Sequence, residues 1–420
     1  SKIPDTKITI IDRNTYHFFT PLLHEVATAS IHSDHIKRPL RKLFGGEEVE
    51  FHQGEINKVD LKNQSVEICT NCSDCDNSPK YDSYTYINTP DFVSERRQTF
   101  QYNYLVLAMG SQPDFFGIRG ADKYSNTLSS IKNSEAIKTR ILECFELANH
   151  TNNLQLKEEL LTFVVIGAGA TGTEYIVELY DLCKNVLARD FEFVNFDRDC
   201  RIILVEAKDQ ILPNMDPYLV EYALKHLQEM KIEIMTSTKV TKITDCNVEL
   251  NGKISIPTHN VLWAAGVKAN NLVASLPLNK NADGRVKVNS FLQAMDKPEV
   301  FALGDDACFI PKEGKSPLMQ TAQVAVQESK TVARNILKHI SKKKLQPFKY
   351  VFLGSTVSLG ERKGVANLIG KFELKGFTAW FSWKLTYLRH LLVIEKLSRA
   401  LWDWSFDLLY NRQMARFKLH

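Results

Sequence analysis

The chain has no run of about 18 uncharged apolar residues, the length that a membrane-spanning helix needs. Residues 1–7 are short and polar and do not read as a secretory signal. No basic block interleaved with aromatics stands out, and a net charge of +4 is too small to argue for a nucleic-acid partner. Cysteine is sparse, with eight in 420 residues, mostly placed singly, as suits a reducing compartment. The exception is Cys69, Cys72 and Cys75. Their C-x-x-C-x-x-C spacing would suit iron–sulfur or zinc, but no fourth ligand lies nearby in sequence. A loop rich in Cys, Asn, Asp and Ser is the better reading, and no metal is expected.

What is present starts with residues 161–174, LTFVVIGAGATGTE. An apolar run broken only by Thr162 leads into Gly167, Gly169 and Gly172, then an amphipathic stretch. This is a buried strand, a glycine turn and a helix start. Gly167 permits the tight turn, Gly169 lets backbone approach a pyrophosphate, and Gly172 lets helix and strand pack closely. A pyrophosphate would rest on the helix N-terminus, where free N–H groups and the helix dipole favour an anion. The next strand, residues 201–206, ends in Glu206, suited to bonding ribose hydroxyls and repelling a 2′-phosphate. Dinucleotide binding, with NAD preferred over NADP, follows; a solvated strand end is the bland alternative for Glu206.

A length of 420 residues allows two or three domains with real cores. Residues 7–12 read as a buried strand ending in Asp12. In a nucleotide-binding unit such an acid follows a glycine fingerprint by about 20 residues, and no such fingerprint precedes this one in the sequence. Either Asp12 is an ordinary turn residue, or a first strand, glycine loop and helix are missing. Residues 21–28, from Pro21, read as a helix start carrying His24 and Glu25, solvated or facing a flavin. Strands are expected at 49–60, 65–69 and 102–110, the last ending in Ala108, Met109 and Gly110. Residues 125–149 are helical by period, and 181–200 read as extra helix and loop. A helix at 217–230 and strands at 232–235, 239–244 and 260–263 lead to Ala265 and Gly266. Strands at 285–288 and 300–303 end at Gly304 and Asp305, which would cap a helix or accept from a ribityl chain.

Residues 318–339 read as one long helix. Gln323 and Gln327 stand at i and i+4 on one face with small alanines at 322 and 325, a face able to lie against a flat ring. An exposed polar stripe is the bland reading. Residues 352–369 suggest a hairpin. The last stretch, 376–420, holds four of the five tryptophans, Trp380, Trp383, Trp402 and Trp404, with Lys384, Arg389, Lys396, Arg399, Arg412, Arg416 and Lys418. Charges interrupt each apolar run, so an amphipathic helical segment lying on a bilayer surface is expected. A packing or dimerisation tail is the alternative.

Taken together, residues 8–14, 21–28, 104–111, 164–174, 204–213, 261–268, 300–305 and 322–327 occur in the order found in type II NADH dehydrogenases, and the chain resembles that family, its bacterial members most. The most discriminating match is the AQxAxQ-type sequence from Ala322 to Gln327. The chain has no C-x4-C pair, unlike related flavoprotein disulfide reductases. The resemblance implies an α/β fold with two Rossmann-like units, for FAD and for NAD, and a C-terminal membrane-association segment. The implied domains are an FAD-binding part over 1–115, an NADH-binding domain over 116–285, a second FAD part with the quinone-site helix over 286–340, and the membrane region over 341–420. It also implies that the sequence lacks the family's opening glycine motif and would hold FAD poorly.

The implied reaction passes electrons from NADH through FAD to a membrane quinone, ubiquinone or menaquinone, without proton pumping. Asp12, Pro21, Leu22, Glu25, Ala27, Ala108, Gly110, Ala265, Gly266, Gly304, Asp305 and Ala322 would line the cofactors. Glu174 would lie near the nicotinamide–flavin contact, and Gln323 and Gln327 would meet the quinone carbonyls. The implied location is the cytoplasmic side of the inner membrane, held peripherally, with a homodimer left open. A soluble NADH-dependent flavin reductase and a non-catalytic NAD(H)-binding redox sensor are the alternatives.

Overall fold

Strand Thr162–Ile166 lies at the centre of a five-stranded parallel sheet. The order is Asn126–Thr127, Asn260–Trp263, Thr162–Ile166, Arg201–Val205 and Glu233–Met235. All its residues are buried, because both faces of the sheet are covered, and such strands read as unbroken apolar runs. Alternate side chains point to opposite faces. Phe163, Val165, Ile202 and Leu204 join a core with helices Ile131–His150, Ala170–Asp181 and Pro217–Glu229. Val164, Ile166, Ile203 and Val205 meet Val240, Val248 and Ile256 of an antiparallel meander, Val240–Ile243, Asn247–Leu250 and Ile254–Pro257. From the central strand the chain moves outward through 201–205 and 233–235, then returns on the other side at 260–263. The strand order therefore reverses at the carboxyl end of Thr162–Ile166, where open α/β sheets bind ligands.

The structure, a computed structural model, describes residues 6–44, 49–70, 96–312, 316–368 and 372–390. A second unit draws its strands from distant parts of this chain. Ile8–Asp12 runs parallel to Val49–Gln53. Leu105–Leu107 runs parallel to Lys297–Ala302. A meander, Glu55–Asp60, Ser65–Thr70 and Arg96–Gln101, packs Val59, Val66 and Ile68 into the same core as Leu107, Val300, Phe301 and Val332. Helix Ala322–Ile340 faces this core with Val324, Glu328, Val332 and Asn335. The two units are joined by paired crossing segments, Ser111–Pro113 antiparallel to Val267–Ala269.

The C-terminal part forms a three-stranded sheet, Gly354–Ser358, Gly364–Leu368 and Phe372–Lys375, followed by helix Phe377–His390. Among the described residues no helix is long and apolar enough to cross a membrane.

Several elements differ in detail from the sequence expectation. The expected strand 49–60 breaks at Gly54, where a side chain would strike Ile68 at 2.8 Å. The helix expected from 125 begins at Ile131, after the Ser130 hydroxyl caps the Asn133 amide at 3.1 Å. The helix expected from 318 begins at Ala322, capped by Thr321. The insertion at 181–200 contains a π-helical turn, Leu182–Leu187. The meander strands Asn247–Leu250 and Ile254–Pro257 were not expected, because their alternation is short and interrupted by Asn251 and Gly252. Cys69 is disulfide-bonded rather than a free thiol, whereas Cys144, Cys183, Cys200, Cys246 and Cys308 are free. Cys72, Cys75 and residues 391–420, with Trp402 and Trp404, lie outside the described residues.

Candidate active site

The glycine turn is built as close contact requires. Gly167 has φ +101°, and a Cβ there would meet the Ala264 carbonyl at 2.6 Å. A Cβ on Gly172 would meet the Gly167 carbonyl oxygen at 1.9 Å. Gly169 differs: nothing lies within 4 Å of its absent Cβ. Two glycines are thus demanded by the fold, and the third opens onto free space at the start of helix Ala170–Asp181. The Glu206 carboxylate closes the other side, accepting the Ala168 amide at 2.8 Å and the Lys208 amide at 2.9 Å. A carboxylate has about four acceptor sites, so both oxygens keep capacity for ribose hydroxyls. Open backbone, a helix N-terminus and an acid together suit the pyrophosphate and ribose of NADH.

A second cradle forms where the first unit's strands end. Asp12 ends Ile8–Asp12, and its carboxylate accepts the Asn14 amide at 2.7 Å. Ala108 is exposed, and nothing lies within 4 Å of the absent Cβ of Gly110. The Ser111 hydroxyl donates to Asp305 at 2.6 Å. Gly304 lies over helix Ala322–Ile340, where a Cβ would stand 3.0 Å from the Ala325 methyl. Ala322, at the first turn of that helix, is exposed. Beneath the loop are two buried carboxyls that the sequence reading missed. Asp306 accepts the Met109 amide, and burial pushes its carboxyl up to about 7. Glu328 accepts the Gly304 amide at 2.6 Å, and burial pushes it up to about 7 as well. The open backbone at Gly110 and the oriented Asp305 form a cradle that fits the FAD ribityl and phosphate portion.

Ala265 and Gly266 lie at the crossing between units, with Ala265 exposed and the Phe116 ring against Gly266. The Asp114 amide donates to the Gly266 carbonyl at 3.0 Å.

The third cluster is buried where four elements meet. Glu174, on helix Ala170–Asp181, is 4 % exposed. One of its oxygens accepts the Trp383 indole N–H at 2.6 Å and the Ser358 amide at 3.1 Å. Burial raises its carboxyl above the ordinary range, opposed by the field of His24 and by those two donors. Pro21 opens a short 3₁₀ turn, Thr20–Leu22, ahead of helix Leu23–Ala27. Leu22, Glu25 and Ala27 are all buried. Glu25 was expected to be solvated or to face a flavin. Instead it accepts the Lys384 ammonium at 3.0 Å. His24 is buried edge-on to Trp383, and its Nε2 has no hydrogen-bond partner among the described residues.

This cluster corrects the reading of the C-terminal helix. Trp383 is 1 % exposed and packs with Leu22, Leu23, Val26 and Ile131. It does not face a bilayer, and Lys384 is tied to Glu25. The helix has a second face: Phe377, Phe381 and Leu385, at i, i+4 and i+8, are 58 %, 56 % and 58 % exposed. The stripe Ala379, Trp383 and Tyr387 has the same spacing, and it was the available signal that one face belongs to the protein.

Gln323 and Gln327 share a face, and their amides are committed to the segment 350–354. Gln323 Oε1 accepts the Tyr350 hydroxyl at 2.9 Å and the Leu353 amide at 2.7 Å, and its Nε2 donates to the Gly354 carbonyl at 3.0 Å. Gln327 pairs with both backbone groups of Val351, at 2.8 and 3.0 Å. The glutamines form a clasp that displays Val351, Phe352 and Leu353 outward, each about half exposed.

A sequence model of the family described as "Pyridine nucleotide-disulphide oxidoreductase" matches residues 3–329. The chain is 29% identical to a "Probable NADH dehydrogenase" of Dictyostelium discoideum, over 98% of this chain and 86% of that protein. It is 29% identical to "Type II NADH:quinone oxidoreductase NdhA" of Mycobacterium tuberculosis, over 97% of this chain and 83% of that protein. In fold it is similar to the NDH2 of Plasmodium falciparum solved with NADH, with a TM-score of 0.84 at 18% identity over 97% and 94% of the two chains.

Proposed function

We propose a function from one premise: this chain belongs to the pyridine nucleotide-disulphide oxidoreductase family. It is an NADH:quinone oxidoreductase of the non-pumping, type II kind. The observation that carries this is the pairing of two cradles, Gly169 with Glu206 and Gly110 with Asp305, across the crossing segments. The similarity to type II enzymes over nearly the full chain supports the same reading.

FAD, when bound, supplies the redox relay between NADH and the quinone. The chain's own residues bind and orient. Gly167, Gly169 and Gly172 hold the NADH pyrophosphate, and Glu206 holds its ribose and disfavours a 2′-phosphate. Asp12, Ala108, Gly110, Gly304 and Asp305 line FAD, with Pro21, Leu22, Ala27, Ala265, Gly266 and Ala322 shaping its surroundings. Glu25 acts through Lys384, which it anchors. The overall reaction takes up a proton with each hydride passed to quinone, and Glu174 is the carboxyl assigned to hold it. Its burial supports that role, because a buried carboxyl keeps its proton nearer neutral pH.

Gln323 and Gln327 border the quinone site. Their clasp on residues 350–354 means that quinone carbonyls would share or displace those bonds. The apolar stripe Phe377, Phe381 and Leu385 supports a peripheral seat on a membrane surface, where a lipid-soluble acceptor enters. The cytoplasmic face of the inner membrane is the proposed side.

The deciding experiment is the visible spectrum of the purified protein before and after anaerobic NADH. The expected result is a yellow protein bleached by NADH and restored by a quinone analogue. Bleaching that only oxygen reverses would favour a soluble flavin reductase. Replacing Gln323 and Gln327 should raise the quinone KM while leaving bleaching by NADH intact. Equal loss of both half-reactions would remove the glutamines from the quinone site.

A further inference from the structure

Among its described side chains, the C-terminal helix fully buries one ring, that of Trp383. Among the described residues it is the largest fully buried side chain. Its indole N–H ends 2.6 Å from Glu174 Oε1, although the two residues are far apart in sequence. A buried indole N–H needs an acceptor, and a buried carboxylate needs donors. Each meets the other's requirement here, and the Ser358 amide supplies the second donor to the same oxygen at 3.1 Å. The other oxygen accepts no hydrogen bond among the described residues.

We infer that Trp383 is a positioning residue for Glu174: its indole, with the Ser358 amide, fixes one carboxylate oxygen and leaves the other to carry the proton. This rests on the reading of Glu174 given above. Among the described residues, the titratable groups that act on Glu174 are His24 and Glu25 of helix Leu23–Ala27 and Tyr387 of the C-terminal helix. Glu178 lies one turn along its own helix and accepts the Ser30 hydroxyl at 2.7 Å. Lys384 is held by Glu25 and stands 4.9 Å over the Trp383 ring. The ion pair thereby keys the register of the C-terminal helix, and Trp383 is the part that touches Glu174. The helix expected to serve as an anchor is also a wall of the site.

The test compares the wild type, Glu174→Gln and Trp383→Phe in the flavin-loaded enzyme. Two readouts are followed across pH: the infrared band of the protonated Glu174 carboxyl, identified by its loss in Glu174→Gln, and the rate of quinone reduction. Losing a donor to the carboxylate makes it hold its proton more tightly. The expected result for Trp383→Phe is therefore an upward shift of about one pH unit in both midpoints, the size of one charge-assisted hydrogen bond. The shift in the rate profile should vanish when Glu174→Gln is added. If Trp383→Phe does not fold, benzothienylalanine at position 383 keeps the shape and removes only the N–H. Unmoved midpoints with either replacement overturn the positioning role while leaving the Glu174 assignment standing. A pH profile of quinone reduction unchanged in Glu174→Gln overturns the Glu174 assignment itself, and the inference falls with it.

Discussion

The two nucleotide-binding units are made differently from the same chain. The unit around Thr162–Ile166 keeps its glycine turn, its helix and its acidic strand end within one stretch, from Thr162 to Glu206. The other unit gathers strands from 8–12, 49–53, 105–107 and 297–302, and its cradle needs Gly110, Asp305 and Ala325 to meet from far apart. The Glu174 cluster extends this second pattern, joining helix Leu23–Ala27, helix Ala170–Asp181, strand Gly354–Ser358 and the C-terminal helix. A contiguous site depends on backbone shape that a few residues dictate. An assembled site depends on long-range polar ties, so the two should fail differently.

The sharpest contrast is between two glycines of one motif. Gly172→Ala forces a methyl into the Gly167 carbonyl at 1.9 Å. It should prevent the NADH-binding unit from folding correctly, seen as lost NADH binding and a large fall in Tm, because overpacking backbone against backbone has no rotamer escape. Gly169→Ala meets open space, so Tm should hold while NADH affinity drops. Equal loss of stability in both would break the distinction between fold-demanded and ligand-demanded glycines.

The assembled site should break through its charges. Lys384→Met removes the ammonium that lies 3.0 Å from the Glu25 carboxylate, a group only 1 % exposed. Breaking a buried pair in this way costs about 3–5 kcal/mol. The loss should show as early proteolysis or exchange of the C-terminal helix, with the parallel sheet still protected. Double replacement by a matched apolar pair, Glu25→Leu with Lys384→Met, should recover much of the stability.

Stability should also depend on pH through the second cradle. Asp306 and Glu328, both pushed up to about 7, hold protons in the folded chain at pH values where the unfolded chain has lost them. The folded state then binds more protons between about pH 4 and pH 7, so stability falls as pH rises through that window and levels off above it. Asp306→Asn with Glu328→Gln should flatten the slope in chemical unfolding measured at several pH values. An unchanged slope would show that other groups set it.

The smallest effect is expected at Glu206. Glu206→Gln keeps the shape and removes the charge, so the NADH KM should rise by about tenfold, the scale of one hydrogen bond to a charged group. NADPH should be used relatively better, because the carboxylate no longer repels its phosphate. Assays with the two cofactors side by side check this.

The strand–glycine–helix unit was legible because its geometry is local: a tight turn, a close approach and an acid one strand later each leave a residue-level mark. Residues 322–327 were legible as a helical face, yet the partners of Gln323 and Gln327 were not, because segment 350–354 reaches them only through tertiary folding. Trp383 and Lys384 were read as surface residues because aromatic and basic spacing looks alike against lipid and against protein. The burial of Asp306 and Glu328 left no mark in sequence, since neither breaks the pattern of its element.

The sequence by itself determined the parallel nucleotide-binding unit and the helix with paired glutamines. Periodicity and glycine placement act over a few residues, and short-range sterics suffice to enforce them. Only the tertiary structure decided which face of the C-terminal helix is buried, what the glutamines hold, and that Glu174 takes its hydrogen bond from Trp383. Those outcomes depend on which groups lose water together, and the chain settles that only when its distant segments pack.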